Sequence, residues 1–185
     1  NKIFLPNVKL SSNLHPTNDL TKVVSDKNLL VMVVPSHVVR DVTKRMSGDV
    51  SKDTIVVSAS KGIENKTHLS MSGVITEVLP EISERQLAVI SGPSFAKEVV
   101  KRFPTVVTVA SKNSDTAGLV QQIFATPYFR VYSSDDVLGV ELGGSVKNVI
   151  AIASGVVDGL GLGLNTRAAL ITRGMTEIRR LGLKM

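Results

Sequence analysis

One lysine, Lys147, stands in a run of small and apolar residues, ELGGSVKNVIAIASGVVDGLGLGLNTRAALITRG from Glu141 to Gly174. Asp158 is the only other charge between Glu141 and Arg167. A lysine so surrounded loses hydration, which disfavours the ammonium form and suits the side chain to giving and taking a proton. The competing reading is a helix lysine that lies along the surface and keeps its head in water, and the residues alone weigh the two alike. Asn148, the next residue, reads equally as an orienting group and as a helix-surface amide. Asp158 lies about three turns further along a helix, too far for a direct partner, and reads as a cap or brace for the glycine-rich stretch after it. Val146, Val149, Ile150, Ala153 and Val157 recur at helical spacing and read as a packing stripe.

Three other segments could hold a ligand. Ser58-Ala59-Ser60-Lys61-Gly62 sets a lysine beside a flexible glycine, although a loop lysine is ordinarily solvated. Ser91-Gly92-Pro93-Ser94-Phe95-Ala96-Lys97-Glu98 pairs Gly92, which permits close backbone approach, with Ser94, a candidate cap for a helix whose free N–H groups attract anions. A plain strand-to-helix turn explains that segment as well. In Pro35-Ser36-His37, Ser36 reads as a helix N-cap.

Each of these segments follows a strand-like run. LLVMVVPS (Leu29–Ser36) is apolar and of strand length, and the residues after it place Val38, Val39, Val42 and Met46 at helical spacing. TIVVSAS (Thr54–Ser60), LAVIS (Leu87–Ser91), TVVTVAS (Thr105–Ser111) and FRVYS (Phe129–Ser133) supply four more strands. Helical stretches follow the first three of these, around His68–Leu79, from Ser94, and over Ser114–Ala125. Strands apolar on both faces and alternating with helices indicate the doubly wound α/β class, with a mostly parallel sheet covered on both sides. After Ser134 the pattern is helical throughout, so a domain change is expected near Asp135–Gly139, dividing the chain into 1–136 and 137–185. In such sheets a ligand lies beyond the carboxyl ends of the strands, which is where the three segments fall.

Composition narrows the classes. The 185 residues suffice for one domain and part of a second, and 43% are hydrophobic. With no cysteine, disulfides and thiolate metal sites are excluded. His15, His37 and His68 lack metal-ligand spacing, so no metal site is expected. The net charge of +6 is scattered, aromatics are 4% and Trp is absent, so no nucleic-acid surface is expected. Arg173, Arg179, Arg180 and Lys184 read as the solvated face and last turn of a helix. Lys147 and Asp158 interrupt the longest apolar run, so no membrane insertion is expected, and the polar, proline-containing start does not read as a signal peptide.

The blocks VVPSHV, SASKGIE, ISGPSFAKE and FRVYSSDDVLGVELGGSVKNVIAIASGVVDGLGLGLNTRAALITRG resemble, in that order, bacterial-type NAD(P)-dependent glycerol-3-phosphate dehydrogenases. The resemblance covers nearly the whole chain. It implies a partial Rossmann-type domain followed by the start of an all-α domain, and an enzyme that interconverts dihydroxyacetone phosphate and sn-glycerol 3-phosphate. Lys147 then corresponds to the catalytic lysine. An ammonium held against the carbonyl oxygen stabilises the alkoxide formed by hydride arrival and donates its proton; in the oxidative direction neutral Lys147 is the base. Lys61 is implied to contact substrate and cofactor, to attract the substrate phosphate and to lower the Lys147 pKa by repulsion. Gly92 and Ser94 are implied substrate contacts and Ala96 a cofactor contact.

The resemblance further implies NADP or NAD, with NADPH favoured, a cytoplasmic homodimer, and supply of glycerol 3-phosphate for phospholipid synthesis. It also marks this chain as the middle of such an enzyme, because the family's opening strand and GxGxxG turn have no counterpart in a strand-to-helix context here. Gly159, Gly161 and Gly163 match a helical-domain loop instead, as hinge and packing glycines. A second reading therefore stands: a non-catalytic fragment or phosphate-ligand-binding module. A related dehydrogenase of the 6-phosphogluconate-like superfamily would share the architecture but not SGPSFAKE together with GGSVKN.

Overall fold

The computed structural model of the protein describes residues 3–185; Asn1 and Lys2, the first residues of the expected sheet domain, lie outside the described residues. In chain order the elements are α1 (Leu20–Val24), β1 (Leu29–Met32), α2 (Val39–Met46), β2 (Ile55–Ser58), α3 (Met71–Val78), β3 (Leu87–Ser91), α4 (Ala96–Val99), β4 (Thr105–Ser111), α5 (Ser114–Phe124), β5 (Phe129–Ser134), α6 (Val137–Gly159) and α7 (Gly163–Gly182). All five expected strands are present. β1 and β2 stop short of Ser36 and Ser60 because a side chain takes over from the backbone ladder. The Ser60 hydroxyl accepts from Val34 N–H at 3.2 Å and donates to Val34 O at 2.6 Å.

The sheet runs β1-β2-β3-β4-β5. β1/β2, β2/β3 and β4/β5 are parallel, whereas β3 and β4 are antiparallel, with Ala88 opposite Ser111 and Ser91 opposite Thr108. The sheet is thus mostly parallel, with one reversal. A parallel connection needs a covering crossover, generally a full helix; between β3 and β4 the chain holds only the four-residue α4, and it returns antiparallel.

Leu30, Met32, Val56 and Leu87 pack beneath α2 and α3 with Val39, Met71, Ile75 and Leu79. Ile75 and Leu79 are fully buried, each contributing about 1.5–3 kcal/mol relative to an exposed side chain. Val57, Ile90, Val107, Val109 and Val131 face Val120 of α5 on the other side. On that face Leu29 of β1 packs against the same cluster, whereas Val31 and, just past the strand, Val33 are 41% and 69% exposed.

An ion-pair cluster ties α2 to the β2–α3 connection. Arg40 donates from Nε and Nη2 to the two Glu64 oxygens at 2.8 Å each and from Nη1 to Glu77 at 2.8 Å. The Arg40 guanidinium, then the Thr67 hydroxyl, pull the Glu64 pKa from 4.5 to about 2. A depressed carboxyl pKa adds stability that is present above the unfolded value and lost as pH falls through the folded one. Acid unfolding followed by circular dichroism should therefore show stability draining between about pH 4.5 and 2. Glu64→Gln should be less stable at neutral pH and vary less across that interval; superimposable curves would refute the assignment.

α6 begins at Asp136, whose Oδ1 accepts from Gly139 N–H at 2.8 Å, and packs on β3, β4 and α7. By length and composition alone it is long and apolar enough to cross a bilayer, although Glu141, Lys147 and Asp158 interrupt its apolar run. Val157 is buried and Val146, Ile150 and Ala153 are half-buried, but Val149 is 66% exposed and leaves the expected stripe. The reason is angular. Positions 146, 150, 153 and 157 share one face, whereas Val149 turns to its flank. Ile150 fills the space that Gly174 leaves on α7. Asp158 meets Arg167 at 3.2 Å across the turn containing Gly161 and Gly163, as a brace. Arg173 and Arg180 are exposed and share Glu177.

Candidate functional site

The carboxyl end of β3 and the loop that follows β2 meet the first turns of α6. Lys61 leaves β2 through Ser60, which is pinned to Val34 as described. On its other side Gly62 donates its N–H to Ser145 Oγ of α6 at 3.0 Å. Gly62 has φ +146°, and a Cβ there would lie 2.6 Å from Ser36 Cβ, so the loop closes on β1 only with glycine. Ser36 consequently packs against Gly62 instead of capping: it sits inside a 3-10 turn, and α2 has no side-chain cap. The Lys61 stem runs past Gly144, where a Cβ would be 3.7 Å from Lys61 Cγ. Burial, and then the charge of Lys147, lower the Lys61 pKa. The residue as a whole remains exposed, so solvent screening keeps the effect moderate.

Gly139, Gly143 and Lys147 recur every four residues and share one face of α6. Together with Val140, Gly144, Ser91, Gly92, Pro93 and Thr108 they line a cavity of about 380 Å³. The glycines leave the helical wall bare, and half-buried Lys147 stands on the same face. The antiparallel register sets Ser91 beside Thr108 on the sheet wall. Gly92 is required by space: a Cβ there would lie 2.8 Å from Val106 O and 2.8 Å from Val107 Cα. A cavity of about 410 Å³ lies between α3 and the start of α6, lined by Glu77, Glu84, Lys112 and Glu141 among others. Its charged residues are mainly acidic and it lies away from the lysine pair, so the smaller cavity is the better candidate for an anionic ligand.

Gly92 and Lys147 thus line the cavity, and Lys61, which does not, passes beside its Gly144 wall. Ser94 and Ala96 do not line the cavity and are exposed. Ser94 does not cap α4, whose N-cap is Phe95 without a side-chain bond; its hydroxyl instead donates to Gly92 O at 3.4 Å. The tight Gly92-Pro93 turn holds Ser94 two residues short of the helix. Asn148 is exposed. Sequence reasoning placed Ser91 in a candidate segment without a role of its own, and missed Thr108, whose pairing with it depends on strand register, and Glu141 and Ser145, whose partners are distant in sequence. The arrangement can accept a small oxygen-rich anion and present an ammonium to one of its oxygens.

A family model described as NAD-dependent glycerol-3-phosphate dehydrogenase N-terminus matches residues 1–117, and its C-terminus counterpart matches residues 136–185. The chain is 52% identical over its full length to a glycerol-3-phosphate dehydrogenase [NAD(P)+] from Syntrophobacter fumaroxidans, covering 54% of that protein. The crystal structure of glycerol-3-phosphate dehydrogenase from Coxiella burnetii matches 96% of the chain at 41% identity with TM-score 0.86, over 53% of its own length. The Saccharomyces cerevisiae enzyme matches 98% at 32% identity with TM-score 0.86, again over 53% of its length. The chain therefore spans about half the length of the curated relatives it matches.

Proposed function

The chain belongs to the NAD-dependent glycerol-3-phosphate dehydrogenase family, and from that premise we propose that it carries the proton-transfer half of an active site interconverting dihydroxyacetone phosphate and sn-glycerol 3-phosphate. The observation that carries this reading is the meeting of Lys147 and Lys61 beside the cavity bounded by Gly92. Lys147 faces the carbonyl oxygen, stabilises the negative charge that develops there and donates the proton that completes the hydroxyl. In the reverse direction it takes that proton back. Lys61 attracts the phosphate. The Ser91 and Thr108 hydroxyls are the donors for substrate oxygens on the sheet wall, and Ser94 and Ala96 lie outside that wall.

A nicotinamide cofactor, NADP or NAD with NADPH favoured, supplies the hydride when bound. The residues present fit part of it: the carboxyl ends of β1 to β3, with Lys61 and the close-packed Gly62 and Gly92, suit its reacting end. No strand–GxGxxG–helix turn occurs among the described residues, so they do not fit its pyrophosphate. The second reading is a phosphate-ligand-binding piece without turnover of its own. NADPH titration of the purified protein separates the two, since the enzyme reading requires saturable binding. We place the protein in the cytoplasm as a homodimer without membrane insertion, supplying glycerol 3-phosphate for phospholipid synthesis.

The direct test is oxidation of NADPH dependent on dihydroxyacetone phosphate. Lys61→Ala should raise KM for that substrate by about 10- to 150-fold, the loss of one charge-assisted hydrogen bond of roughly 1.5–3 kcal/mol. An unchanged KM would remove Lys61 from the site.

A further inference from the structure

We propose that Glu141 and Ser145 are positioning residues: they clasp the first turns of α6 to the start of α3 and to the loop after β2, and thereby hold Lys147 close to Lys61. This rests on the proton-transfer reading given above. Glu141 is 8% exposed, and its carboxylate reaches across to the start of α3. Oε1 accepts from Ser72 N–H at 2.8 Å, and Oε2 accepts from the Ser72 hydroxyl. Ser70, the α3 N-cap, takes the next free donor, Gly73 N–H, at 3.3 Å. A carboxylate at this end of a helix also complements the helix dipole. One turn later Ser145 Oγ donates to Glu141 O at 2.8 Å and accepts from Gly62 N–H at 3.0 Å.

The second clasp therefore falls one residue from Lys61 and two from Lys147, and the first anchors the helix about 9 Å before Lys147 along its axis. Neither lysine has an ion-pair partner among the described residues. The two ammonium groups repel, and no counter-charge draws them together. Their proximity must be imposed by the backbone, and the clasp is the set of polar contacts that imposes it. Gly144, between the two clasp residues, lets α6 approach: a Cβ there would lie 2.4 Å from Ser91 Oγ.

The test reads the coupling between the lysines directly. In the purified, reductively ¹³C-methylated protein, the Lys61 resonance is titrated with and without Lys147→Met, in wild-type, Glu141→Ala, Glu141→Gln and Ser145→Ala backgrounds. Lys147→Met should raise the Lys61 pKa in the wild type and do so much less in Glu141→Ala and Ser145→Ala. Glu141→Gln should retain the coupling, because an amide can accept from Ser72 N–H and donate to its hydroxyl. In turnover, Glu141→Ala should lower kcat by about 10- to 100-fold, with Glu141→Gln near wild type. If Glu141→Ala does not fold, Ser145→Ala and Glu141→Gln decide. Undiminished coupling in folded Ser145→Ala, or lost coupling in Glu141→Gln, overturns the clasp. A wild-type protein that binds but does not turn over dihydroxyacetone phosphate overturns the enzyme reading and leaves the coupling result to judge the clasp.

Discussion

Lys147→Ala should lower kcat for dihydroxyacetone phosphate reduction by about 10²- to 10⁴-fold, the range for removing a positioned general acid, with a much smaller change in KM. The split follows from geometry. Lys147 stands on the bare glycine face of α6 and lines the cavity, the place proposed for the reacting oxygen, whereas the variant keeps Lys61 for the proposed phosphate contact. Lys147→Arg separates charge from proton transfer. A guanidinium keeps the positive charge but does not release its proton at working pH, so binding should be retained while turnover stays low. A small alkylammonium ion should restore part of the rate to Lys147→Ala, because the truncated side chain leaves room beside the cavity for it. Turnover in Lys147→Ala equal to wild type would end the proton-transfer role of this residue.

Much of this site was legible in the chain because its chemistry is local. Lys147 stands out as an isolated charge in an apolar helix, and Lys61 and Gly92 follow strands whose runs of Val and Ile define them; those strands form as expected, with β3 and β4 ending at the residues the pattern marks. What was not legible depends on pairing between distant segments. The antiparallel approach of β3 and β4, which sets Ser91 beside Thr108, is decided by a connection too short to cover the sheet, not by anything in either strand. Ser94 and Ser36 have the residue type of helix caps, but the chain reaches each helix a residue or more later; the Ser94 hydroxyl turns back to Gly92 O and Ser36 packs against Gly62. Glu141 carried no local signal either. Its role is set by Ser72, far back in the chain, and a buried carboxylate in a helix otherwise reads as a surface charge. In the helical half apolar spacing marks one residue that α6 leaves exposed, Val149.

Gly92→Ala should be the most damaging single methyl in the sheet domain, and its sign can be set against a glycine of opposite behaviour. A Cβ at position 92 would stand 2.8 Å from two backbone atoms of β4, Val106 O and Val107 Cα, and 2.9 Å from Val107 Cγ1. Backbone inside a paired strand cannot step aside as a side-chain tip can, so β3 and β4 must separate where Ser91 faces Thr108. Overpacking of this kind costs about 1–3 kcal/mol, or roughly 2 to 12 °C in Tm for a chain of this size. The same displacement moves the sheet wall of the cavity, so KM for dihydroxyacetone phosphate should rise in Gly92→Ala even at temperatures where the protein is fully folded. Gly118 lies within α5, and a Cβ there meets nothing within 4 Å. Gly118→Ala should therefore stabilise by about 0.4–1 kcal/mol through the unfolded chain and leave KM unchanged. Thermal unfolding of the two variants reads the difference directly: equal Tm values for Gly92→Ala and wild type would mean that β4 yields at this point, and that the cavity wall is softer than the contact distances require.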